Sequence, residues 1–105
     1  MQKTEKDSLG LAGWRTGDAA DFLELTAEEA AFVELKLALA VYLREVRAQH
    51  GWTQAQVARR LGSSQSRVAK MEAADASVSL DLLVKSLLAL GASSTEVGRV
   101  IARAA

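Results

Sequence analysis

Thr53-Gln54-Ala55-Gln56-Val57-Ala58-Arg59-Arg60-Leu61-Gly62-Ser63-Ser64-Gln65-Ser66-Arg67-Val68-Ala69-Lys70-Met71-Glu72 spells two short helices meeting at a tight turn. Thr53 precedes Gln54-Ala55-Gln56, so its hydroxyl can accept from the third helical amide while Gln56 reaches back, the reciprocal pattern that opens a helix. Val57, Ala58 and Leu61 point inward, and Gly62 stops the helix after about eight residues. Ser63 or Ser64 then caps a second helix running to about Ala73, with Val68 and Met71 as its apolar positions. Small Ala58 lets this second helix approach closely, and Val57, Leu61, Val68 and Met71 fill the angle between the two. Such a unit holds one helix rigidly out from the body of a protein.

The side chains left outside on the protruding helix are Ser64, Gln65, Ser66, Arg67 and Lys70. A glutamine amide matches the paired donor and acceptor of an adenine edge, and Arg or Lys matches guanine, so these residues suit readout of about four base pairs in a major groove. Thr53, Gln54, Arg59 and Arg60, with the amides at the start of the first short helix, suit phosphate oxygens, which set register without reading sequence. Net charge alone does not suggest nucleic acid, because thirteen basic and thirteen acidic residues cancel. The distribution does. Residues 43–72 hold six basic and two acidic groups, a net +4, whereas residues 1–42 hold four basic and eight acidic groups, a net −4. The positive charge is gathered around the two short helices.

Upstream, Thr26-Ala27-Glu28-Glu29 repeats the capping pattern and opens a long helix to about His50, ended by Gly51. Downstream, Ser79 starts a helix with Leu80, Leu83, Leu87 and Leu90 in one stripe, and Ser93 with Glu96 opens a last helix carrying Val97, Val100 and Ile101. With no proline and little strand-like alternation, the chain reads as all-α. Residues 1–25 mix Gly10, Gly13 and Gly17 with polar residues and read as a tail or partner-binding arm, with one turn of helix near Phe22 and Leu23. Residues 26–105 read as the domain. At 105 residues, half of them apolar, one globular domain is the expectation.

The absence of cysteine excludes disulfides, thiolate metal sites and cysteine nucleophiles, and His50 is the only histidine. Neither a metal, a cofactor nor an enzymatic activity is expected. The amino terminus lacks the build of a secretory signal, and no stretch approaches the roughly 20 apolar residues of a membrane span. A cytoplasmic protein without a membrane partner is therefore expected. His50 reads as a helix-end residue suited to the carboxyl-terminal dipole, and Trp52 as a packed turn residue. Arg44 and Arg47 read as ion-pairing residues, toward Glu45 or Glu72, rather than as DNA contacts.

The run from Thr53 to Ala58, then Gly62 to Val68, then Met71-Glu72, preceded by Leu43-Arg44 and Arg47 and followed by Ser79-Leu80-Asp81-Leu82-Leu83, resembles the Cro/phage-repressor (XRE-like) helix-turn-helix family over roughly residues 39–91. The resemblance implies a five-helix repressor-like domain, here with an extended first helix, whose third helix enters the major groove. It also implies Gln54 on a backbone phosphate and an ion pair between Arg47 and Glu72. The sequence departs from the family pattern at Ala73-Ala74, where Asn or Gly often ends the third helix, so a later end is expected. His50 also stands where Leu is more common.

The long helix has two apolar stripes, one of Phe32, Leu35, Leu39, Leu43 and Val46, the other of Val33, Leu37, Ala40 and Val41. One belongs in the core. The second is to be covered by residues 9–25, by a second subunit or by a different protein, which makes Phe22, Phe32, Val33, Leu37 and Val41 a candidate partner or dimer surface. The expectation is a sequence-specific repressor that binds double-stranded DNA as a homodimer on a partly palindromic operator and regulates its own operon. The alternative, which the resemblance also implies, is an antitoxin of the Hig type that neutralises a small basic ribonuclease toxin by contact; both roles can coexist.

Overall fold

The computed structural model describes residues 25–104. Among them are five helices and no strand: α1 (Ala27–Gln49), α2 (Gln54–Leu61), α3 (Gln65–Glu72), α4 (Leu80–Ala89) and α5 (Ser94–Ala104). No described helix is long and apolar enough to cross a membrane. The expected turn at Phe22 and Leu23, and Phe22 as a surface residue, lie outside the described residues.

Local sequence sets the helix starts. Thr26 accepts from the Glu29 amide at 3.1 Å while its own amide donates to Glu29 Oε1 at 2.9 Å. Thr53 and Gln56 exchange the same pair at 3.1 and 2.8 Å, and Ser93 and Glu96 do so at 3.0 and 2.8 Å. Each pair satisfies two amides that the first turn of a helix leaves without a partner.

The chain divides into two units, Met1–Glu34 and Leu35–Ala105. In the first, the described part is the start of α1, with Ala30 buried and Phe32 and Val33 exposed. The second contains the core: Leu39, Leu43 and Val46 of α1, Val57 and Ala58 of α2, Val68 and Met71 of α3, Val78, Leu83, Leu87 and Leu90, and Val97 and Val100 of α5. In this unit α2 packs on α3 and α4, and α4 on α5. Ser86, buried on α4, donates its hydroxyl to the sulfur of Met71 at 3.6 Å, so the recognition unit is fastened to the domain by a polar contact as well as by packing.

Two expectations fail in instructive places. Ala40, read with the outer stripe of α1, is 1% exposed; it lies about 60° round the helix from Leu43, inside the buried sector. The third helix does not end late. It stops at Glu72, and Ala74 takes the left-handed conformation (φ 53°) despite its Cβ. The amides of Ala74 and Asp75 donate to the carbonyls of Met71 and Lys70 at 3.1 and 3.0 Å, the paired bonds that normally accompany a glycine there.

Candidate nucleic-acid interface

The turn between α2 and α3 is made by Gly62 at φ 63°, with the Ser63 amide closing onto the Ala58 carbonyl at 2.8 Å. A left-handed residue there costs glycine nothing. Ser64, not Ser63, then caps α3 by accepting from the Arg67 amide at 3.2 Å, and its hydroxyl lies 3.2 Å from that of Ser66. Val68, Met71 and Glu72 are buried on the inner side of α3, whereas Ser64, Gln65, Ser66, Arg67 and Lys70 are all exposed. The structure thus leaves the five residues expected to read bases on the outside of one helix.

The far end of that helix is held by charge. Arg47 Nε donates to Glu72 Oε2 at 2.6 Å and Nη2 to Glu72 Oε1 at 3.1 Å, a two-pronged pair, while Nη1 donates to the Trp52 carbonyl at 3.2 Å. Gln54 Nε2 adds a third bond to Glu72, at 3.1 Å to Oε1. The Glu72 side chain is 5% exposed and that of Arg47 25%, so the charges are largely withdrawn from water and each needs the other. The hydrogen bond to Glu72 holds the Arg47 guanidinium even more firmly protonated than usual. One guanidinium therefore ties together α1, the turn before α2 and the end of α3.

Of the residues expected at phosphates, Thr53, Arg59 and Arg60 are exposed and Gln54 is half-buried. Thr53 caps α2 and Gln54 is oriented by Glu72. The Arg60 guanidinium lies over the Trp52 ring, 4.0 Å from its centroid, and the His50 ring stacks on the same indole with centroids 4.0 Å apart and planes 13° from parallel. A guanidinium stacks by its face and donates in its plane, so Arg60 keeps N–H groups for an oxyanion. His50 Nδ1 donates to the Val46 carbonyl at 2.9 Å, in the last turn of α1, as a helix-end residue should. Trp52 packs against the core in the turn.

The bond from Gln54 to Glu72 and the stacking about Trp52 are absent from the sequence reading. Each joins residues from elements whose relative angle no local pattern reports. Among the described residues no group of acidic side chains and His50 is gathered as a metal site.

Residues 43–97, more than half of the chain, match the family model described as helix-turn-helix. No curated protein and no solved structure matches the chain.

Proposed function

The chain belongs to the helix-turn-helix family of the Cro/C1 (XRE) type, whose members bind DNA and regulate transcription, and from that membership we propose that it is a sequence-specific repressor acting as a dimer on a partly palindromic operator. The observation that carries this reading is the contrast within α3, anchored through Glu72 at one end and presenting Gln65, Ser66 and Arg67 at the other. A helix so held can enter a major groove without losing its angle, and two of them about 34 Å apart meet successive groove faces. Gln65, Arg67 and Lys70, with Ser64 and Ser66, read base edges. Thr53, Gln54, Arg59 and Arg60 neutralise or bind phosphates, the second Gln54 N–H being the one left for this purpose.

The test is a pair of substitutions measured on a selected operator and on random duplex. Gln65→Ala is expected to lose about 1 to 3 kcal/mol at one operator position and to relax preference there, whereas Arg59→Ala weakens both duplexes alike and lowers the salt dependence. Equal losses on both duplexes for Gln65→Ala remove it from the readout set.

The charge of residues 1–42, net −4, favours a second role: neutralising a small basic ribonuclease toxin, with operator occupancy tuned by the toxin. Deleting residues 1–25 separates the two roles. Toxin binding is expected to fall while operator binding persists.

A further inference from the structure

Only one side of α1 is used by the core. Leu39 and Leu43 are fully buried, whereas Leu37 and Val41 leave 45% and 48% of their surface in solvent. At about 100° per residue, Glu34, Leu37, Val41 and Arg44 fall within a sector about 80° wide whose centre points away from Leu39. All four are exposed. The other stripe that competes for a contact between subunits, on α5, is already covered: Val97 and Val100 are each 5% exposed and Ile101 packs on the core.

We propose that this outer stripe of α1 is the contact between two copies of the chain, paired antiparallel about a two-fold axis at the level of Leu39. The order of residues is self-complementary about that level. Glu34 stands five positions before it and Arg44 five after, while Leu37 stands two before and Val41 two after. A two-fold axis across the helix therefore sets Glu34 against the partner's Arg44 and Leu37 against the partner's Val41, each contact occurring twice. Parallel pairing sets Glu34 against the partner's Glu34 and Arg44 against the partner's Arg44, so charge selects the antiparallel arrangement. The same mixture of signs disfavours a partner of uniform charge, since a basic protein meets Arg44 and an acidic one meets Glu34. The stripe is narrow, and the expected dissociation constant is on the order of micromolar. The inference deepens the repressor reading and rests on it for its purpose, the joining of two recognition helices.

Sedimentation equilibrium of the full chain tests it. Glu34→Arg and Arg44→Glu each place two like-charge pairs in the contact and are expected to raise the dissociation constant about tenfold or more, and the double variant to return it to within about threefold of the parent. Because the chain has no cysteine, mixing Leu37→Cys and Val41→Cys chains under oxidising conditions is expected to give a cross-linked dimer. Single reversals without effect, a double variant no better than the singles, or a dimeric mixture that does not cross-link each overturn the proposal. So does a parent chain that is monomeric across the micromolar range, the result expected if another segment of the chain or a foreign protein covers the stripe. Circular dichroism checks that the variants keep their helicity. Binding of a short random-sequence duplex at low salt reads the other premise separately: a parent that dimerises as described but binds no duplex keeps the interface and loses the DNA-binding reading.

Discussion

The two ends of α3 are built on opposite terms. At its start, Gly62 turns the chain at φ 63° with open space around it, and Ser64 supplies the cap. At its end the same left-handed turn falls to Ala74, at φ 53°, and the helix is held from outside by Arg47 and Gln54 on Glu72. The entry is relaxed and leaves its polar side chains in solvent. The exit carries backbone strain and is fixed by charge. A reading helix needs this division, because its base-facing groups must be uncommitted while its angle must not be.

The comparison is broken most severely at the charged end. Arg47→Ala leaves the Glu72 carboxylate buried with Gln54 as its side-chain donor, and is expected to cost about 3 kcal/mol of stability, read by urea unfolding. A loss under about 1 kcal/mol shows that the pair is not a clamp. Ser64→Ala removes the cap of α3 and is expected to cost about 1 kcal/mol by the same measurement. The two turns should answer with opposite signs: Gly62→Ala costs about 1 kcal/mol, since an added methyl meets nothing and only the backbone conformation resists, while Ala74→Gly gains about half as much, its relief of strain partly offset by the freer unfolded chain. Destabilisation by both substitutions removes the claim of strain at Ala74.

The smallest effect concerns the loop after the exit. The hydroxyl and then the amide of Ser77 donate to Asp75 and hold its carboxyl below the usual range. The contribution is present above the unfolded pKa, near 4, and is lost as pH falls through the lower folded value. Ser77→Ala is expected to move the Asp75 titration, followed by NMR, back toward ordinary carboxyl values and to remove this part of the acid sensitivity. An unmoved titration shows that the two hydrogen bonds do not form in solution.

What the sequence made legible was what is local or follows a helical period. The caps at Thr26, Thr53 and Ser93 need only residues three apart, and the Val57, Val68 and Met71 core follows from spacing. The Arg47 to Glu72 pair spans 25 positions and was available only through the resemblance. Ala74 was misread because residue type argued for a longer helix, while the turn was decided by bonds to Lys70 and Met71 that no propensity records. Ala40 shows the same limit, since alanine carries too little hydrophobicity to say on which side of a stripe boundary it falls.

The stack of Arg60 and His50 on Trp52 gives the domain an optical reporter of its own. Indole emission responds to a cation lying on its face, and that cation is one of those suited to phosphate. With Trp14 replaced by Phe, all tryptophan emission comes from Trp52, so occupation of the DNA becomes a colour and intensity signal from the unlabelled protein.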